Sequence, residues 1–200
     1  MQSVEDKIYT NIKYRGKGKI YFHNDFVKYG NPESITKALS TLNKKGILLR
    51  LARGIYLYPE FSEPLGQNIY PSLDEIAKEI AKRDKARIVP TGVQALNKLG
   101  LSTQVVVNAV YLTDGSQRNI KIGDGKGILF IHTAPKNLAY KSDLIMLIVS
   151  AFKEIGENNL SSEQIERIKM LIIEHETKDT VLKDIELAPA WIRKILLTII

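Results

Sequence analysis

Apolar and polar positions in the first sixty residues fall into short, distinct patterns. In "SVEDKIYTNIKYR" Val4, Ile8 and Ile12 recur at i, i+4 and i+8, the spacing of one helical face. Acids open this segment and Lys13 and Arg15 close it, as a helix dipole favours. "GKGK" breaks the pattern, Ile20 to Phe22 read as a short edge strand, and "NDFVKYG" is long enough for a brief second helix. A third helix is predicted from Asn31, which can cap free backbone N–H groups, with Pro32 as a first-turn residue that has no N–H to leave unpaired and Gly46 as the stop. Within it Ile35, Ala38, Leu39 and Leu42 line one side, while Thr36, Lys37, Ser40, Asn43 and Lys44 line the other. "ILLRL" and "GIYLY", joined through Ala52, Arg53 and Gly54, read as a two-stranded hairpin. Helix, strand, helix, helix and a two-stranded wing is the order of a winged helix-turn-helix, predicted over residues 1–58.

"PEFSEPLGQNIYPS" holds three of the chain's seven prolines and reads as a linker over 59–72. A second domain is predicted over 73–200. Ser72 and Glu75 form a capping-box pattern ahead of "IAKEIAKR", whose Ile76 and Ile80 share a face. "ARIVP" reads as a strand and "TGVQALNKLGLS" as a helix punctuated by Gly100. "VVVNAVYLT", "RNIKI" and "GILFIHT", separated by "DGSQ" and "GDGKG", read as an antiparallel meander. From Lys141 onward the pattern turns helical through "SDLIMLIVSAFKEIG", "SSEQIERIKMLIIEH", "DTVLKDI" and "PAWIRKILLTI". The predicted class is therefore α+β: a winged helix-turn-helix, then a mixed α/β domain with an antiparallel meander and a helical C-terminal end.

Composition adds limits. The chain has 200 residues, 44% of them hydrophobic, which is ample for packed cores. With no cysteine there is no disulfide framework and no cysteine-based zinc site, in keeping with a reducing, cytoplasmic home. The first twenty residues carry no signal-peptide pattern, and the apolar runs at 144–149 and 195–200 fall short of the roughly 20 residues a membrane span needs. Charge is the most informative quantity. Through Tyr58 there are 11 Lys and Arg against 4 Asp and Glu, which accounts for the whole net charge of +7 and leaves the rest formally neutral. A groove-sized helix that coincides with all the excess charge points to nucleic acid. Its face of Thr36, Lys37, Ser40 and Lys44 offers donors suited to phosphates and base edges, and Arg53 would project from the wing tip.

Catalytic and metal chemistry find little support. "GDGKG" has glycines suited to an anion, but Lys126 is followed by Gly127 and a strand, not by Ser or Thr opening a helix, so a hairpin turn is the better reading. His23, His132 and His175 have no partner at metal-binding spacing. Asp114, Asp124 and Asp143 stand beside Gly or Ser in turn-like or cap-like positions, which explains them structurally. No catalytic residue, metal ligand or cofactor is predicted.

In "ITKALSTLNKKGILLRLARGIYLYP", "PTGVQALNKLGLSTQ" and "VYLTDGSQRNIKIG" the chain resembles the AbiEi-type antitoxins of bacterial type IV toxin-antitoxin systems, over about residues 1–135. The resemblance implies a transcriptional repressor that binds inverted repeats of double-stranded DNA in its own promoter, through Lys37, Ser40, Lys44 and Arg53. It also implies a C-terminal domain that counters a nucleotidyltransferase-like toxin; Trp191, Ile195 and Leu196 are candidate exposed apolar residues for that contact, and the equal alternative is that this tail closes its own core. Two other classes stay open: a stand-alone regulator whose second domain binds a ligand or a protein, and an enzyme with an appended DNA-binding domain.

Overall fold

The computed structural model describes residues 2–123 and 125–200, so Asp124 lies outside the described residues. The chain divides into two compact units, one of residues up to Glu79 with 121–126, the other of 80–120 with 127–200. The architecture is mixed α+β with several antiparallel strand pairs and a helical C-terminal end.

The first unit begins with α1 (Val4–Arg15), opened by a reciprocal cap: Asp6 N–H donates to Ser3 Oγ and Ser3 N–H to the Asp6 carboxylate. Those Ser3 hydrogen bonds hold the Asp6 carboxyl below its ordinary pKa. There follow β1 (Lys19–Phe22), a 3-10 helix at His23–Tyr29, α2 (Pro32–Lys44), β2 (Leu49–Ala52) and β3 (Ile55–Tyr58). The three strands form an antiparallel sheet in the order β1-β3-β2, so β1 is an edge, as its short run predicts. α2 starts where predicted: Ser34 N–H donates to Asn31 Oδ1 at 2.9 Å. Its stripe of Ile35, Ala38, Leu39 and Leu42 is buried against Ile8, Ile12, Tyr21 and Phe26, so 3.6-residue periodicity located this core. Gly46, at φ +70°, takes the left-handed conformation that reverses the chain after α2. Leu51 is an extra residue between the Arg50–Tyr56 and Ala52–Ile55 pairs, a bulge that sharpens the twist of the β2–β3 hairpin.

Residues 59–72, read as a linker, instead contain an antiparallel hairpin of β4 (Glu60–Ser62) and β5 (Gln67–Ile69). The prolines stand just outside or between its strands, where no ladder N–H is required. α3 (Leu73–Asp84) then opens on the predicted Ser72–Glu75 cap, with Ser72 N–H donating to the Glu75 carboxylate at 2.7 Å. That bond and the one from the Ser72 hydroxyl lower the Glu75 pKa.

Apart from residues 121–126, which fall in the first unit, the second unit contains β6 (Ile88–Pro90), α4 (Gly92–Lys98), β7 (Asn108–Thr113), β8 (Arg118–Ile122) and β9 (Lys126–His132). Its sheet runs β6-β7-β9-β8. β7 and β9 are parallel, from Asn108–Gly127 to Thr113–His132, which corrects the predicted antiparallel meander. Alternation marks strands without naming their neighbours. The apolar strand β9, with Ile128 and Phe130 buried, takes the interior place, and β8, with Asn119 and Lys121 exposed, takes the edge. "VVVNAVYLT" is strand only from Asn108, and Val105 ahead of it is 91% exposed.

Four helices complete this unit: α5 (Asp143–Ile155), α6 (Ser162–His175), α7 (Lys178–Ile185) and α8 (Ala190–Leu197). Ile145, Ile148, Ala151 and Phe152 put α5 at the centre of the second core, with Ile168, Val181, Ile192 and Leu196 around it. Trp191 and Ile195 are partly buried against the same cluster and Leu196 is fully buried, so of the two readings of this tail it is the closing of its own core that holds. Among the described residues no helix is long and apolar enough to cross a membrane.

Candidate nucleic-acid interface

α2 presents a continuous polar face because its core stripe uses the opposite side. Glu33, Lys37, Ser40 and Lys44 follow at i, i+4, i+7 and i+11, with Thr36 beside them, and all five are exposed. The stripe is about 16 Å long at 1.5 Å per residue. Pro32, Glu33, Thr36, Lys37 and Ser40 line an open depression of about 500 Å³ on this face. Arg53 stands exposed at the β2–β3 bend beside Gly54, whose φ of +76° suits the turn and around which nothing lies within 4 Å of where a Cβ would be.

The five predicted residues differ in what they can donate. Lys37, Lys44 and Arg53 make no ion pair among the described residues. The Ser40 hydroxyl has no partner there either. Thr36 is already committed: its Oγ1 donates to the Pro32 carbonyl at 2.8 Å, the back-bond a helical threonine can make. To donate outward it must first break that bond. Thr36 therefore suits a van der Waals contact through its methyl group better than a polar one.

Of the four acids up to Tyr58, three have structural partners. Glu5 pairs with Lys45, Asp6 caps α1, and Asp25 accepts the Phe22 N–H at 2.7 Å. Only Glu33, in the first turn of α2 where the dipole favours a carboxylate, stands on the candidate face. Of the eleven basic side chains up to Tyr58, all but Lys7 are exposed. Positive charge is thus turned outward.

The other polar residues have structural partners. His23 Nε2 meets the Pro32 carbonyl at 3.0 Å and His132 Nδ1 the Gly115 carbonyl at 2.9 Å. His175 lies 3.7 Å from Glu174 on an exposed helix end. Asp114 accepts from the Arg87 backbone N–H at 2.7 Å and from its Nε at 3.0 Å. Burial pushes the Asp114 pKa up, but the Arg87 hydrogen bonds and charge outweigh it and hold the carboxyl below its ordinary value. Asp143 is an exposed first-turn residue of α5, beneath the Ser142 cap. Gly123 and Gly125 belong to the turn between β8 and β9. Among the described residues no group of three or more His, Cys, Asp or Glu could hold a metal ion.

The second unit exposes apolar side chains that periodicity did not single out. Met170 and Ile173 of α6 are 55% and 63% exposed, and Leu182, Leu187 and Leu197 are also exposed. On α6 the signal was present in the spacing, since Met170 and Ile173 fall outside the Ile168–Ile172 stripe.

A family model described as "Family of unknown function (DUF6088)" matches residues 7–181, and the chain belongs to that family. No curated protein matches. The crystal structure of the RV2827C protein from Mycobacterium tuberculosis is similar at 14% identity and a TM-score of 0.48, covering 98% of this chain and 81% of that one.

Proposed function

We propose that this member of the DUF6088 family is a DNA-binding transcriptional regulator whose first unit is a winged helix-turn-helix. In this reading α2 lies in the major groove of double-stranded DNA, Lys37 and Lys44 contact phosphates, Ser40 reaches phosphate or base edge, and Arg53 meets the backbone or adjacent minor groove from the wing tip. The observation that carries it is the distribution of charge: the whole net charge of +7 lies in the residues up to Tyr58, whose cations face outward while three of their four acids are held by structural partners. No catalytic step or cofactor is assigned to the protein, and its place of action is the cytoplasm.

Salt dependence tests this directly. Removing one phosphate contact should flatten the slope of log affinity against log salt by about 0.9. We expect Lys37→Ala and Lys44→Ala in the full chain each to reduce the slope on a duplex from its own promoter. Equal slopes for native and both variants would remove α2 as the DNA-facing helix.

The resemblance to AbiEi-type antitoxins extends the proposal to repression of its own operon at inverted repeats and to neutralisation of a nucleotidyltransferase-like toxin by the second unit. Exposed Met170, Ile173 and Leu182 supply apolar area for such a partner. A second reading, a stand-alone regulator, is favoured by a different observation: Trp191, Ile195 and Leu196 pack into the unit's own core. Co-expression with the product of the neighbouring gene separates the two. Rescue of growth by the full chain, abolished in a Met170→Ser/Ile173→Ser variant, supports the antitoxin; absence of any rescue supports the stand-alone regulator.

A further inference from the structure

The turn from α1 into β1 holds four cations within seven residues, Lys13, Arg15, Lys17 and Lys19, all exposed. None makes an ion pair among the described residues. Gly16 and Gly18, at φ +90° and +76°, let the chain leave the helix and enter the sheet within three residues, a path that a side chain would strain. The turn is anchored by Gly18 N–H, which donates to the Tyr58 carbonyl at 2.8 Å, and nothing lies within 4 Å of where a Gly16 Cβ would be. Arg15 is positioned by its guanidinium, 5.2 Å from the centre of the Tyr21 ring. Tyr14, between Lys13 and Arg15, is 90% exposed. One acid stands close: a Glu60 carboxylate oxygen lies 3.3 Å from the Gly18 Cβ position, far too little charge to offset four cations.

This turn is not part of the α2 and wing-tip contact. The register pairs Lys19 with Tyr58 and Phe22 with Ile55. The turn therefore stands at the end of the sheet away from the Arg53–Gly54 bend, about 10 Å along the strands at roughly 3.3 Å per residue. A duplex carries about one charge per 1.7 Å of its axis, so a contact displaced by that much meets further phosphates. A tyrosine hydroxyl, like these ammonium and guanidinium groups, donates to phosphate oxygens.

We propose that the Lys13–Lys19 turn is a second DNA-backbone contact, gripping phosphodiesters that flank the stretch met by α2 and Arg53, with the Tyr14 hydroxyl donating to one of them. This rests on the DNA-binding reading and adds to it a longer footprint than one helix and a wing tip would cover.

The test uses the full chain on a duplex from its own promoter, comparing native protein, Lys37→Ala/Lys44→Ala and Lys13→Ala/Lys17→Ala/Lys19→Ala. The turn variant should flatten the salt slope by about 2.7, at 0.9 per phosphate, and shorten the backbone footprint on one side. Lys→Arg at the same three positions should restore both. Thermal melts should match native, because the altered side chains are exposed. If the α2 variant flattens the slope while the turn variant keeps the native slope and footprint, the turn is solvated surface and this inference fails with DNA binding intact. If native protein shows no salt-dependent binding to the duplex, both fall.

Discussion

The two units bury different chemistry. Among the described residues the buried polar side chains, Thr113, Ser142, Ser150 and Asp184, all belong to the second unit, whereas the first has an aliphatic and aromatic interior built on Ile8, Leu39, Tyr21 and Phe26. Three acids of the second unit are held inside it: Asp184 accepts from the Lys141 and Ser142 N–H groups, Asp114 from Arg87, and Asp84 pairs with Arg83 and Arg118, while others such as Glu157, Glu163 and Glu174 are exposed. The first keeps most of its cations outside and without an acid partner. The residues up to Tyr58 carry the whole net charge of +7 with only four acids among them, whereas cations and acids balance from Pro59 onward, so the placement of the acids decides where an anion would be attracted.

The largest effect should come from the apolar core of the first unit. Leu39→Ala leaves a cavity and should cost about 2–5 kcal/mol, while Ser40→Ala, one residue on but facing out, should stay within about 0.5 kcal/mol. Urea melts that rank them the other way would mean α2 is rotated and its polar face misassigned. Next is the buried carboxylate. Asp184→Ala leaves two backbone N–H groups at the start of α5 without their acceptor and should cost about 1–3 kcal/mol. A neutral result would erase the contrast between an interior that holds bonded polar groups and an apolar one.

The smallest effect concerns acid. Because the Asp114 pKa is lowered in the folded state, its contribution is complete at pH values above the ordinary carboxyl range and is lost as pH falls through the depressed folded value. Asp114→Asn should therefore flatten the acid limb of a stability-versus-pH curve. An unchanged limb would show that the Arg87 pairing carries no pH-linked stability.

How much the sequence reveals differs between the units for the same physical reason. α2 was legible down to its cap because Asn31, Pro32, a 3.6-residue stripe and Gly46 are local signals within one element. The sheet of the second unit was not, since pairing β7 in parallel with β9 is a choice among strands made by burial across distant residues. Trp191, Ile195 and Leu196 were undecided for the same reason, because an apolar residue reads alike whether it faces a partner or its own core. On the candidate face, charge and exposure were readable. The commitment of Thr36 was not, because a threonine hydroxyl selects its acceptor only once the helix exists.

The way α2 begins limits how an anion can approach it. Many helices receive a phosphate end-on, in the crown of free N–H groups at their first turn. Here Pro32 has none, that of Ser34 is taken by Asn31, and that of Ile35 already bonds the Asn31 carbonyl. What is left is the N–H of Glu33, a residue whose own carboxylate repels a phosphate. A closed helix mouth leaves the flank as the route of approach, so a polyanion would meet α2 broadside and be aligned by the spacing of Lys37 and Lys44, in the manner of a rack engaging the teeth of a pinion.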